Sequence, residues 1–109
     1  MDEGCIVFNE TEGIDTDKHY IAWINANKNG YVLSIPKNYR TISKLFLSKT
    51  TRIHRVNCYL ISKYSKFQQS SSFTGKKYFK ICSTNQSDLT QKAIHITGLF
   101  MIEKCRCMN

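Results

Sequence analysis

The sequence predicts an α+β domain, a small mixed or antiparallel sheet with two helices, stapled by a structural zinc site. Three observations predict it. Apolar residues recur at helical spacing in some stretches and at strand spacing in others. Histidine and cysteines sit at ligand-like intervals in the middle and the tail of the chain. A chain of 109 residues buries one core of modest size, so a metal staple would add materially to its stability.

The elements follow in order. Residues 1 to 14 show no clear period and read as a loosely held acidic arm, with the single domain running from 15 to 109. Asp15 or Thr16 can cap a helix starting at Asp17, because a short oxygen-bearing side chain satisfies the free amides of the first turn. Tyr20, Trp23, Ile24 and Asn27 share one face of that helix, with Ile21 beside them, and Asn29-Gly30 ends it. Gly30 is read there as a residue in the left-handed terminal conformation. Tyr31 to Ile35 reads as a strand closed by Pro36, and Ile42 to Leu47 as a shorter one. The run Gln68 to Ser72 with Thr74-Gly75 marks an exposed loop. Lys76 to Ser83 alternates as a half-buried strand should, with Tyr78, Lys80 and Cys82 on one side and Lys77, Phe79 and Ile81 on the other. A helix capped near Ser87 runs through Leu89, Ala93, Ile94 and Ile96 to Gly98, and Leu99 to Ile102 forms a last strand carrying the terminal cysteines.

Composition narrows the function classes. No apolar run approaches the roughly 20 residues needed to span a bilayer, so no membrane partner is expected. The acidic start Met1-Asp2-Glu3-Gly4-Cys5 lacks the features of a secretory signal. A cytoplasmic, reducing location follows as an expectation, and there five cysteines serve better as thiolate ligands than as disulfides.

The net charge of +8 is unevenly spread. Before Lys18 the chain carries acids and no Lys or Arg, at Asp2, Glu3, Glu10, Glu12, Asp15 and Asp17, and from Lys18 to Ser87 there is no Asp or Glu at all. That block cannot neutralise itself, and its field draws polyanions. The expected partner is therefore a polyanion, nucleic acid in the first instance. Arg40, Lys44, Arg52, Arg55, Lys63, Tyr64, Lys66, Lys76, Lys77 and Lys80 are the candidate contacts, since they mix phosphate-pairing cations with ring faces for stacking. A metal-dependent nuclease would need clustered carboxylates, and the basic block has none. No glycine-rich phosphate loop is present, because the glycines are scattered singly.

The metal candidates are His54, Cys58, Cys82, Cys105 and Cys107, of which a tetrahedral site takes four. His54-x-x-x-Cys58 presents a nitrogen and a sulfur one helical turn apart or across a tight knuckle. Cys105-Arg106-Cys107 is a tighter bite than the usual Cys-x-x-Cys. A full Cys3His shell has no open position for water, so such a zinc would be structural and not catalytic. Cys5 stands apart in the acidic segment, and His19 and His95 have no ligand-like neighbours.

Tyr20-Ile21-Ala22-Trp23-Ile24, Gly30-Tyr31-Val32-Leu33, Ile53-His54-Arg55-x-x-Cys58, Thr74-Gly75-x-x-Tyr78-x-Lys80-Ile81-Cys82 and the closing cysteine pair together resemble a family of small bacterial modules. These occur alone or beside restriction-type nuclease domains, and the likeness spans about residues 18 to 107. It implies that His54, Cys58 and the final pair ligate metal, with Cys82 as the competing candidate. The association with nucleases also implies a DNA-facing role. With the acid-free basic block built around a rigid metal site, the leading expectation is a DNA-binding module in a bacterial defence setting that reads a structural or chemical feature of DNA, such as a modified base, with a nuclease as a further partner protein. The sequence departs from the pattern at Ser34, where asparagine is usual, and in a final pair one residue closer together. Two other function classes remain open: a zinc-stabilised protein-interaction adaptor or inhibitor, and a small metal-independent RNase or toxin using His54 or His95 as base.

Overall fold

A computed structural model of the chain describes residues 4–8, 16–58 and 78–105. Among the described residues three helices and a five-stranded mixed sheet form an α+β fold. The strands are β1 (Ile6–Phe8), β2 (Tyr31–Pro36), β3 (Arg52–Arg55), β4 (Tyr78–Ser83) and β5 (Glu103–Lys104). The helices are α1 (Thr16–Ala26), α2 (Lys44–Thr50) and α3 (Gln86–Thr97). The sheet order is β1-β4-β2-β3-β5, antiparallel throughout except where β5 runs parallel to β3.

Alternation along β2 divides the core into two layers. Val32 points with Cys82, Phe8, Val56, Cys58 and Cys105 into a cluster with Tyr20 and Ile24 of α1. Leu33 and Ile35 point with Ile53, Phe79 and Ile81 toward Leu89 and Ala93 of α3. The sheet is therefore covered on both faces. That cover corrects the expectation of a half-buried strand at Lys76 to Ser83. In β4 every residue after Tyr78 is buried, Lys80 included.

Three further expectations are corrected. Ile42 to Leu47 is not a strand: Ser43 caps α2 by accepting from the Phe46 amide at 3.2 Å, and only Leu47 of that helix is buried. A short oxygen-bearing cap and an i→i−4 bond from the Thr51 amide to the Leu47 carbonyl outweigh the apolar run. Leu99 to Ile102 is not paired either, and the last strand lies at Glu103–Lys104, in register with Arg52 and Ile53. Residues 6 to 8, read as part of the acidic arm, pair with β4 as an edge strand.

Glycine geometry also shifts. Gly98 caps α3 in the left-handed region at φ 74°, as expected of a helix stop. Gly30 does not adopt positive φ. Its requirement is space: a Cβ there would sit 2.7 Å from the Trp23 ring and 3.1 Å from the Asn27 carbonyl. Asn27 holds that turn by donating its side-chain amide to the Trp23 carbonyl at 2.9 Å.

Candidate metal centre and cationic surface

The sheet register builds the site. His54 lies on β3 opposite Val32, on the face turned toward α1. After Arg55 the chain reverses in a tight turn, with the Cys58 amide donating to the Arg55 carbonyl at 3.0 Å and the Val56 amide to the Gly30 carbonyl at 3.1 Å. This is the knuckle form of His54-x-x-x-Cys58, and the alternative of one helical turn is set aside. From the far end of the chain, β5 runs parallel to β3, and the Cys105 amide donates to the Ile53 carbonyl at 2.9 Å. Continuing the pairing of Ile53 with Lys104 by one residue sets Cys105 beside His54.

The three side chains converge. Cys58 Sγ lies 3.6 Å from His54 Nδ1 and 3.9 Å from Cys105 Sγ, and the three ligand atoms are all within 4.8 Å of one another. All three residues are buried, and the group can hold a metal ion. Burial, with the Lys80 and Arg52 cations adding to it, lowers His54 from its ordinary 6.5 to about 4. A neutral imidazole is the form that ligates.

Cys82 stands outside this group. It pairs with Val32, and Val32 pairs with His54, so two strand spacings of about 4.8 Å each separate Cys82 from His54. Among the described residues the ligand atoms that lie within 4.8 Å of one another are those of His54, Cys58 and Cys105, and the Cys82 thiol is not one of them. Burial pushes the Cys82 thiol well above its ordinary range, opposed by Lys80 and reinforced by Cys5, so it stays a neutral thiol. Cys107 lies outside the described residues. His95 is exposed on α3, across the sheet from Cys82, so the two form no nucleophilic pair.

The candidate nucleic-acid contacts fare unevenly. Arg40 and Arg55 are exposed, Arg40 packing over the Tyr39 ring at 5.3 Å. Arg52 is half-buried and donates Nε to the Lys49 carbonyl at 3.1 Å. Lys44 is exposed along its stem, while its Nζ donates to the Thr97 carbonyl at 2.6 Å and so neutralises the C-terminal end of α3. Lys80 is corrected: it is 6% exposed and donates Nζ to Ser34 Oγ at 2.8 Å, which removes it from the surface. The i, i+2 alternation put Tyr78, Lys80 and Cys82 on one side of β4, and on that side Lys80 and Cys82 are both buried. Lys63, Tyr64, Lys66, Lys76 and Lys77 lie outside the described residues.

Sequence reasoning passed over Lys28, Asn29, Tyr31 and Asn57. With Gly30 and Arg55 these line a cleft of about 200 Å³ beside the knuckle. The signal was present as Asn-Lys-Asn after α1 and Asn57 inside the His-Cys interval, but only the turn at 55–58 places the two segments together. Among the described residues no helix is long and apolar enough to cross a membrane. No protein-family model, curated protein or solved structure matches the chain.

Proposed function

We propose that this chain is a nucleic-acid-binding module, DNA-facing, whose cationic surface is fixed by a structural zinc ion held by His54, Cys58, Cys105 and Cys107. One observation carries the reading: one nitrogen and two sulfurs from distant segments meet within 4.8 Å inside an apolar core. Zn–S of about 2.3 Å and Zn–N of about 2.0 Å at a tetrahedral angle require edges of about 3.8 Å between sulfurs and about 3.5 Å between sulfur and nitrogen. The separations of 3.9 and 3.6 Å agree with that geometry. Two thiolates and an imidazole favour zinc over the oxygen-seeking magnesium and calcium.

Charge supports the same set. Zinc with three thiolates and one imidazole carries a net charge of −1, and Arg52 and Lys80 are the cations whose fields reach His54. The ion would hold the knuckle and β5 against β3, and with them Arg52 and Arg55 on either side of His54. The basic block that supplies these arginines has no acid to quench it from Lys18 to Ser87, which is the condition for attracting a phosphate backbone.

The test is metal analysis of the purified chain together with a gel-shift titration at rising salt. One zinc per chain, and DNA retention that falls steeply with salt, are expected. Full retention of structure without metal, or no retardation of DNA at low salt, overturns the reading. The narrower form of the proposal is a module that reads a chemical mark on DNA, in the company of a restriction-type nuclease. A preference for modified over unmodified duplex of one sequence is the check on that narrower form.

A second reading has its own observation. Phe100 is 99% exposed and its neighbour Met101 79%, two adjacent large apolar side chains of the sort that protein contacts cover. A stoichiometric protein partner recovered without nucleic acid would favour this adaptor reading.

A further inference from the structure

The cleft beside the knuckle has one wall from the turn after α1 and the start of β2, and the other from the turn between the two proposed ligands His54 and Cys58. The Val56 amide, donating to the Gly30 carbonyl, fastens the walls together. The residues that line it include two cations, Lys28 and Arg55, and two carboxamides, Asn29 and Asn57, while the Tyr31 ring packs against the Leu33 layer of the core. No described lining residue is an acid. Every one of these functional groups can donate a hydrogen bond, and the two charged ones cannot accept. Such a set complements a ligand made of acceptors and negative charge.

We infer that this cleft is a phosphate-binding subsite, taking a phosphodiester of the bound nucleic-acid strand against Lys28, Arg55 and Asn57. The inference deepens the nucleic-acid reading and rests on it. Arg55 and Asn57 lie inside the His54–Cys58 interval, so an ion bound there sets their backbone before any strand arrives. Preorganisation of this kind spares the ordering cost of a flexible loop. Gly30 forms the floor, and the Trp23 ring directly behind it leaves no room for a side chain. Lys28 Nζ makes a long 3.5 Å contact to Asn25 Oδ1, and an ammonium has three protons to give.

A second cleft among the described residues, lined in part by Tyr39, Arg40, Lys44, His95 and Thr97, is a poorer anion site. It sits at the C-terminal end of α3, where carbonyl oxygens point outward and Lys44 is already engaged by the Thr97 carbonyl.

The metal-loaded full chain tests the inference. It is titrated by NMR with inorganic phosphate, with a short single-stranded DNA, and with a duplex of the same sequence, while the backbone amides of Gly30, Arg55 and Asn57 are followed. Saturable shifts at these amides with a DNA probe are expected. Lys28→Gln and Arg55→Gln should each weaken DNA binding about tenfold, as loss of a charge-assisted phosphate contact does, and lower the salt slope by about 1. Lys49→Gln, which removes the same charge from α2, should stay within about twofold, with metal content equal in all variants. DNA binding that leaves these amides unmoved, with Lys28→Gln and Arg55→Gln no weaker than Lys49→Gln, overturns the subsite and leaves the module reading standing. A response to inorganic phosphate but to neither DNA overturns the module reading and keeps the cleft as a site for a free phosphate group. Silence toward all three overturns both.

Discussion

Cys105 Sγ stands 3.9 Å from Cys58 Sγ although 47 positions of sequence separate them. Nothing local enforces that approach; the parallel pairing of β5 with β3 does, through the Cys105 amide and the Ile53 carbonyl. The contact therefore reports on the whole sheet, and a metal bound there would lock the sheet's last strand in place.

Removing the metal should then cost most of the fold's stability. Structural zinc sites contribute roughly 10–16 kcal/mol of apparent binding energy in small modules, against a net stability of about 5–15 kcal/mol for a domain. Thermal unfolding followed by circular dichroism, with and without a strong chelator, should show a cooperative transition only in the metal-loaded chain. Cys58→Ser and Cys105→Ser should each abolish stoichiometric metal. In a cobalt-substituted sample they should also remove the thiolate-to-metal absorption.

Cys82 separates ligand from core residue. Cys82→Ala should keep one metal per chain and lose about 1–2 kcal/mol, the cost of a small cavity in a closed layer. Loss of metal in that variant would return Cys82 to the ligand set. In the native chain its thiol should resist alkylation until denaturant unfolds the protein.

Two pH dependences follow from opposite shifts. His54 is lowered from 6.5 to about 4, so between those values the unfolded chain binds a proton that the folded chain refuses. Stability is complete above pH 6.5 and falls as pH drops toward 4, by about 3 kcal/mol; metal release by protonation acts in the same direction. Cys82 is raised above its ordinary 9.0, so its contribution is present below that pH and is lost as the unfolded thiol ionises above it. Denaturant midpoints measured from pH 4 to 10 should therefore fall at both ends, and Cys82→Ala should flatten only the alkaline side.

Lys80 and Ser34 form a buried polar pair at 2.8 Å. Ser34→Ala should cost about 1.5–3 kcal/mol, because a hydrogen bond to a buried ammonium is lost. DNA affinity measured on the folded variant should not change. A loss of affinity at constant fold would show that Lys80 reaches the ligand after all.

Gly30→Ala tests the packing reason given for that position. The added Cβ meets the Trp23 ring at 2.7 Å, and Trp23 packs against the core beneath it. A loss of about 1–3 kcal/mol is expected, the range for overpacking, read as a lower melting temperature. Gly98→Ala should cost about 1–2 kcal/mol for a different reason, left-handed strain at φ 74°.

Much of the fold was legible because its signals are local. Gly98 stopped α3 where a glycine after a run of Leu89, Ala93 and Ile96 should, and Pro36 closed β2. Ile42 to Leu47 misled because an apolar run read as a strand gives no weight to the Ser43 cap. Residues 6 to 8 gave no pattern, since two of the three are exposed on an edge.

The candidate site shows the same division. By itself the sequence determined which atoms were available for a metal, a histidine four residues before a cysteine and a thiol pair at the tail, and that the surrounding charge is positive without acids to oppose it. Only the tertiary structure decided that Cys105 joins His54 and Cys58 while Cys82 does not, and that Lys80 is buried. The reason is physical: ligand type and charge are properties of single residues, whereas a distance between strands depends on the order and register in which the sheet assembles.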